Sequence, residues 1–201
     1  MLSLDHIAVS GETLEDATAH VEDALGVALQ QGGQHAVFYT HNTLLGLNDG
    51  LYLEAISIAP NTPDPGRARW FDIDTFQGAP RLTNWVCRCE DLDAVPLTGI
   101  GTPVDLTRGD LTWRMAVPAD GRLPFDNVHP AVMQWKTGTH PASRLTQSGC
   151  TLTRLVISHP KSAELTQRLS AHFTDARVVF EPGDAAISAE FDTPHGRRVL
   201  T

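Results

Sequence analysis

The sequence predicts an α+β fold assembled from repeated strand-helix-strand-strand-strand (βαβββ) units. Three observations carry this. An amphipathic helical pattern over residues 13–25 follows an opening apolar strand, Asp49-Gly50 marks a hairpin between two apolar runs, and the same order of elements is traceable three times along 201 residues. The resulting division is a first unit over 1–59, a connector over 60–80, a second unit over 81–137 and a shorter C-terminal unit over 138–201.

The opening strand, Leu4 to Val9, carries one histidine in an apolar run, and strand alternation puts Leu4, His6 and Ala8 on one face and Asp5, Ile7 and Val9 on the other. In the helix Leu14, Ala17, Val21, Ala24 and Leu25 recur at helical spacing, with Thr13 and Asp16 as a capping start and Gly26 as a stop. Gly32-Gly33 opens an extended run over 34–40, a strand follows over 42–47, and after the Asn48-Asp49-Gly50 turn comes a strand over 52–58. There Tyr52, Glu54, Ile56 and Ile58 share a side, and Glu54 is the lone carboxylate.

Proline and turn formers over 60–66 mark the connector, and 67–76 reads as a short helix packing Trp70 and Phe71 against the body. Residues 81–90 alternate, with Leu82, Asn84, Val86 and Arg88 on one face and Thr83, Trp85, Cys87 and Cys89 on the other. A helix over 91–99 is interrupted by Pro96, and strands are expected over 103–106, 111–117 and 131–137. The third unit has a strand from Thr151, a helix over 160–173 opened by Pro160, and short strands over 177–180, 186–191 and 198–200.

A chain with 41% hydrophobic and 19% charged residues is expected to fold. A net charge of −9 with only two lysines, Lys136 and Lys161, argues against nucleic-acid or membrane partners. The N-terminus has no basic stretch leading into a long apolar core, so a soluble cytoplasmic protein is expected. Three cysteines, Cys87, Cys89 and Cys150, without zinc-like spacing read as buried thiols.

Several residues are candidates for chemistry. Burying Glu54 in an apolar strand is costly unless it is paired or holds a cation, and His6 is a partner that would satisfy it without a metal. His35, at the end of Gly-Gly-Gln-His, is an acid/base candidate or an edge-strand histidine in solvent. Asn42 either binds a ligand carbonyl or caps a turn, and Arg67 and Arg69 either grip a carboxylate or stack on neighbouring aromatics. His20, His41, His129, His140, His159, His172 and His195 are expected at the surface or in capping positions. There is no phosphate-cradling glycine loop and no Gly-x-Ser-x-Gly elbow.

The stretches Leu-Asp-His-Ile-Ala-Val (4–9), Gly-Gly-Gln-His (32–35), Asn42, Gly-Leu-Tyr-Leu-Glu-Ala-Ile (50–56) and Arg-Trp-Phe (69–71) resemble the vicinal oxygen chelate superfamily, and within it glyoxalase-like domain proteins of the glyoxalase, bleomycin resistance and dioxygenase type. The resemblance implies paired βαβββ modules whose curved mixed sheets enclose a cup, with the C-terminal stretch as an added short module. It also implies a divalent metal (iron, manganese, zinc or nickel) held from the first and last strands of each module. Carried over, that points to His6, Glu54 and, as a neutral oxygen ligand, Gln134. Trp85 falls at the fourth place and cannot bind a metal, so the set is incomplete.

Two functions follow from the resemblance. One is a metal-assisted lyase, isomerase or dioxygenase acting on a small oxygen-bearing molecule, with His35 moving a proton, Asn42 and Arg69 binding substrate, and Trp85 and Trp135 as walls. The other is a metal-free protein that sequesters a small molecule between Trp85 and Trp135. Either a monomer or a homodimer is compatible with this number of modules.

Overall fold

The computed structural model describes residues 1–201. The first unit comprises β1 (Ser3–Ser10), α1 (Leu14–Leu25), β2 (Gln30–His35), β3 (Thr40–Gly46) and β4 (Tyr52–Ile58). Thr13 caps α1 by accepting from the Asp16 N–H, and Gly26 ends it in the left-handed conformation. The second unit contributes β5 (Arg81–Arg88), β6 (Thr102–Arg108), β7 (Leu111–Val117) and β8 (Ala131–Trp135).

These eight strands form one sheet, ordered β2-β3-β4-β1-β5-β8-β7-β6. In each half the last strand lies parallel to the first, and β1 and β5 meet antiparallel at the centre. The two halves are thus related by a pseudo-twofold axis. Edge strands β2 and β6 curl toward each other, so the sheet is a half-barrel with one concave and one convex face. This α+β architecture of paired modules around a cup is the one the sequence predicts.

The C-terminal unit has β9 (Thr151–Ser158), α2 (Ser162–Leu169), β10 (Val178–Glu181), β11 (Ala186–Thr193) and β12 (Gly196–Leu200). It keeps the strand-helix-strand-strand-strand chain order, but its sheet runs β10-β9-β11-β12, with β10 parallel to β9 immediately after α2. The helix is shorter than the 160–173 pattern suggests, because Lys161 serves as its N-cap and Ser170 as its C-cap.

Residues 91–99 form turns and no helix, Pro96 lying among them. The convex face that a second helix would cover is buried by the C-terminal sheet instead. Trp85 packs there against Phe173 and Phe180, within one core of 32 buried residues that joins α1, the convex face and the C-terminal unit. A second core of 15 residues, including Ala8, Ile56, Trp70, Val86, Trp113 and Met133, fills the concave side.

Residues 67–76, expected as a single short helix, form a 3₁₀ segment over Trp70–Thr75 broken at Phe71 (φ 65°) and Asp72 (φ 55°). Two consecutive left-handed residues are costly for non-glycine side chains. Here they let adjacent Trp70 and Phe71 both turn inward and stack with ring centroids 5.5 Å apart.

Candidate functional site

Strand parity brings His6, Tyr52 and Glu54 together on the concave face, since His6 pairs with Tyr52 and Ala8 with Glu54 across the β1–β4 ladder. His35 and Asn42 arrive from β2 and β3. All five line one cavity of about 30 Å³ with Trp70, Trp113, Met115, Met133, Trp135 and Arg108.

A β-bulge between Leu4 and His6 reshapes the expected alternation. Asp5 has no cross-strand partner there, and its carboxylate swings beside the His6 ring, 2.7 Å from Nδ1, while Leu4 joins the convex-side core. Asp5 is therefore not on the face opposite His6, as simple alternation requires. Its other oxygen accepts from Trp135 Nε1 at 3.0 Å, from His140 Nε2 at 2.8 Å and from Arg88 at 3.4 Å.

The His6 ring stacks on Tyr52 and turns Nε2 toward Glu54 Oε1 at 3.5 Å. A ring facing carboxylates at both nitrogens donates from both, which is the imidazolium form. Burial alone pulls His6 toward neutrality, but its bonds to Asp5 and Glu54 outweigh that and raise its pKa to about 9. Burial likewise opposes ionisation of Glu54 and Asp5. His6 and Asn42 hold Glu54 at about 2, and His140 and His6 hold Asp5 well below the usual carboxylate range.

Asn42 connects this chain to the second half. Its Nδ2 donates to Glu54 Oε2 at 2.7 Å, and its Oδ1 accepts from the Gly33 N–H at 3.0 Å and from Arg108 at 3.3 Å. Gly32 and Gly33 make room for this crossing. A Cβ on Gly32 would lie 2.1 Å from Asn42 Oδ1 and 2.6 Å from its carbonyl oxygen, whereas one on Gly33 would meet only the flexible Arg108 side chain at 3.0 Å. Gly32→Ala is accordingly expected to cost about 1–3 kcal/mol by overpacking, and Gly33→Ala under ~1 kcal/mol. Thermal unfolding of the two variants side by side checks this, equal losses arguing against Asn42 as the link.

His35 is in a different state. Nδ1 bonds Thr40 Oγ1 at 2.9 Å, and Nε2 faces Arg108 at 3.4 Å. Burial, reinforced by the Arg108 charge, lowers its pKa to about 4. The ring is neutral near pH 7. With Nδ1–H donated to Thr40, its lone pair lies on Nε2, inside the cavity.

Three expected site residues lie elsewhere. Trp85 is on the convex face, fully buried, with its indole N–H donating to the Val128 carbonyl, so it lines no cup. Gln134 points away between Met133 and Trp135, donating to the Glu90 carbonyl and accepting from the Leu92 N–H. Arg69 ties the 3₁₀ segment to the β2–β3 turn through the Phe38 carbonyl and Asp74. Conversely, Asp5, Tyr52, Arg108, Trp113 and His140 belong to the site and were not singled out from the sequence. Of the histidines expected at the surface or in capping positions, His129 and His159 are buried, and His159 does cap the start of α2 by accepting from the Lys161 N–H at 3.0 Å.

The donor set does not fit a divalent metal. About the central pair Ile7–Trp85, His6 has Asn84 as its counterpart and Ala8 has Val86. Glu54 lies beside Ala8 as Ala131 lies beside Val86, so Ala131 is the counterpart of Glu54. The second half therefore offers an amide and a methyl where ligands would be needed. No three His, Cys, Asp or Glu side chains are grouped to hold an ion. Moreover, the two buried carboxylates already have partners, Asp5 in His6, His140 and Arg88 and Glu54 in His6 and Asn42, which a metal would have to displace.

Comparison with known proteins agrees with this architecture. A family model described as a glyoxalase-like domain matches residues 4–173. No curated protein matches the chain. Among solved structures, a hypothetical protein from Staphylococcus aureus superposes with a TM-score of 0.66 at 15% identity, covering 92% of this chain and 88% of that one. Methylmalonyl-CoA epimerase from Mycobacterium tuberculosis gives a TM-score of 0.43 at 17% identity over 70% of this chain and 91% of its own. A mutant of 4-hydroxymandelate synthase from Streptomyces coelicolor gives 0.35 at 13% identity, over 71% and 52%.

Proposed function

Because the chain belongs to the glyoxalase-like domain family, we propose that it is a proton-transferring enzyme of the isomerase or lyase type. It acts on a small oxygen-bearing molecule in the sheet-lined cup, with His35 as the base. The observation that carries this reading is the state of His35: its Nε2 is unprotonated at neutral pH, lines the cavity, and has only the Arg108 guanidinium as a polar neighbour at 3.4 Å. Glu54 has its oxygens engaged by His6 and Asn42 and is less available as a base.

A C–H bond next to a carbonyl becomes acidic when the developing oxyanion is stabilised, and Arg108 stands next to the base to do this. The proton moves from substrate carbon to His35 Nε2, and the electron pair is delocalised onto the oxygen facing Arg108. Asn42 positions Arg108 through Oδ1. No step requires the metal for which the residues lack a ligand set.

The test is exchange of substrate C–H for deuterium in D2O, followed by proton NMR over a panel of small α-hydroxy and α-keto compounds, both charged and neutral. Exchange is expected for at least one compound, and His35→Gln should slow it about 10²-fold or more. The rate should be flat above about pH 5 and fall as His35 protonates near 4. Exchange that survives His35→Gln would remove the base assignment.

The second reading is sequestration without chemistry. It is favoured by the aromatic wall, where Trp113 and Trp135 lie 5.5 Å apart and Trp70 meets His35 edge-on at 4.9 Å. Binding of a panel compound with no exchange would select it.

A further inference from the structure

We infer that the cup carries a carboxylate subsite formed by the Arg108 guanidinium and the Trp70 indole N–H, so that its ligand is a small organic monoacid. This deepens the proposed function and rests on the cup being the ligand site.

Two independent observations lead here. Arg108 makes only two long contacts, both through NH1, to Asn42 Oδ1 and His35 Nε2, which leaves Nε and NH2 without acceptors. No carboxylate pairs with it, unlike Arg88, Arg114 and Arg144. A guanidinium that lines a cavity with unused donors is suited to bidentate binding of a carboxylate.

The second observation is Trp70. It is 97% buried, lines the same cavity, and its Nε1–H has no hydrogen-bond partner. A buried donor left unpaired is costly, so an acceptor supplied by a ligand recovers that loss. Of the other indoles, Trp85 donates to the Val128 carbonyl and Trp135 to the Asp5 carboxylate.

The cavity has room for one acidic group. About 30 Å³ holds roughly two water molecules, or the two oxygens of one carboxylate. Trp113, Met115 and Met133 are apolar, and the other charges in the lining, His6 and Glu54, face each other at 3.5 Å. A ligand with two acidic groups would leave one of them against apolar surface.

The experiment compares lactate with lactamide, isosteric molecules differing in the carboxylate, by calorimetry and by tryptophan fluorescence on the full-length protein. Lactate is expected to bind at least about 10-fold tighter. Arg108→Gln should abolish that preference, Arg108→Lys should restore part of it, and Trp70→Phe should reduce lactate affinity several-fold while leaving lactamide less affected. Arg198→Gln, at an exposed position on β12, should change nothing. Circular dichroism confirms that each variant is folded.

Equal affinity for acid and amide, unchanged lactate binding in Arg108→Gln, or no binding of lactate, acetate or formate up to about 10 mM would overturn the subsite. The outcome separates from that of the proton-transfer reading. Arg108-dependent binding without C–H exchange removes the enzyme and leaves the subsite, whereas exchange on neutral compounds with no preference for acids removes the subsite and leaves the enzyme.

Discussion

Asp5→Ala is expected to lower stability by about 3–5 kcal/mol, the range for removing one partner of a buried ion pair. Asp5 is fully buried, and its two oxygens accept from His6, Trp135, His140 and Arg88. Alanine leaves the His6 imidazolium with only Glu54 at 3.5 Å and leaves the Trp135 and His140 donors unpaired. For a chain of this length the melting temperature should drop by about 10 °C or more. Urea unfolding should show a lower midpoint with an unchanged slope. In a double-mutant cycle with His6→Ala, the coupling should exceed about 1 kcal/mol, because the imidazolium that Asp5 stabilises is then absent. A loss under ~1 kcal/mol for Asp5→Ala would mean that the ring is neutral and that Asp5 is spare.

The distribution of these residues explains what the sequence reveals and what it hides. His6 and Glu54 are legible as partners because both interrupt apolar strands and both strands keep regular alternation from those residues onward. The module order is legible for the same reason: period 2 and period 3.6 are distinct in β1, α1 and β4. The site in the second half is hidden by parity. Trp85 and Gln134 are each one position from residues on the concave face, Asn84 in one case and Met133 or Trp135 in the other, and a slip of one residue exchanges the faces of a strand. Asp5 is hidden by a bulge, a local choice that leaves no periodic trace. Arg108 and His140 are hidden for another reason. One ends an edge strand and the other lies in the segment after β8, and only closure of the half-barrel brings them to β1 and β3.

Stability is expected to peak near pH 6.5 and to fall on both sides, more steeply on the acid side. Two buried histidines set the acid limb. His35 and His129 both have their pKa lowered to about 4, chiefly by burial, from an ordinary value of 6.5. His129 donates Nδ1–H to the Pro130 carbonyl, and its buried Nε2 has no partner, so the folded state has no place for a second proton. Between pH 6.5 and 4 the unfolded chain binds two protons that the folded chain refuses. Unfolding is thereby favoured by about 3 kcal/mol per histidine over that range, with a slope near 2.7 kcal/mol per pH unit. His6 acts in the opposite direction. Its folded pKa is raised to about 9, so its contribution is complete below 6.5 and is lost as pH rises from 6.5 through 9, by about 3 kcal/mol with a slope of one proton. Asp5 and Glu54 titrate below their ordinary values when folded and add to the acid limb only below about pH 4.5. Urea unfolding from pH 4 to 9 measures all three. His129→Gln should remove about half of the acid slope between 6.5 and 4.5 without touching the alkaline limb, and His6→Gln should flatten the alkaline limb alone. A profile with no alkaline decline would show that His6 is not held as an imidazolium between its two carboxylates.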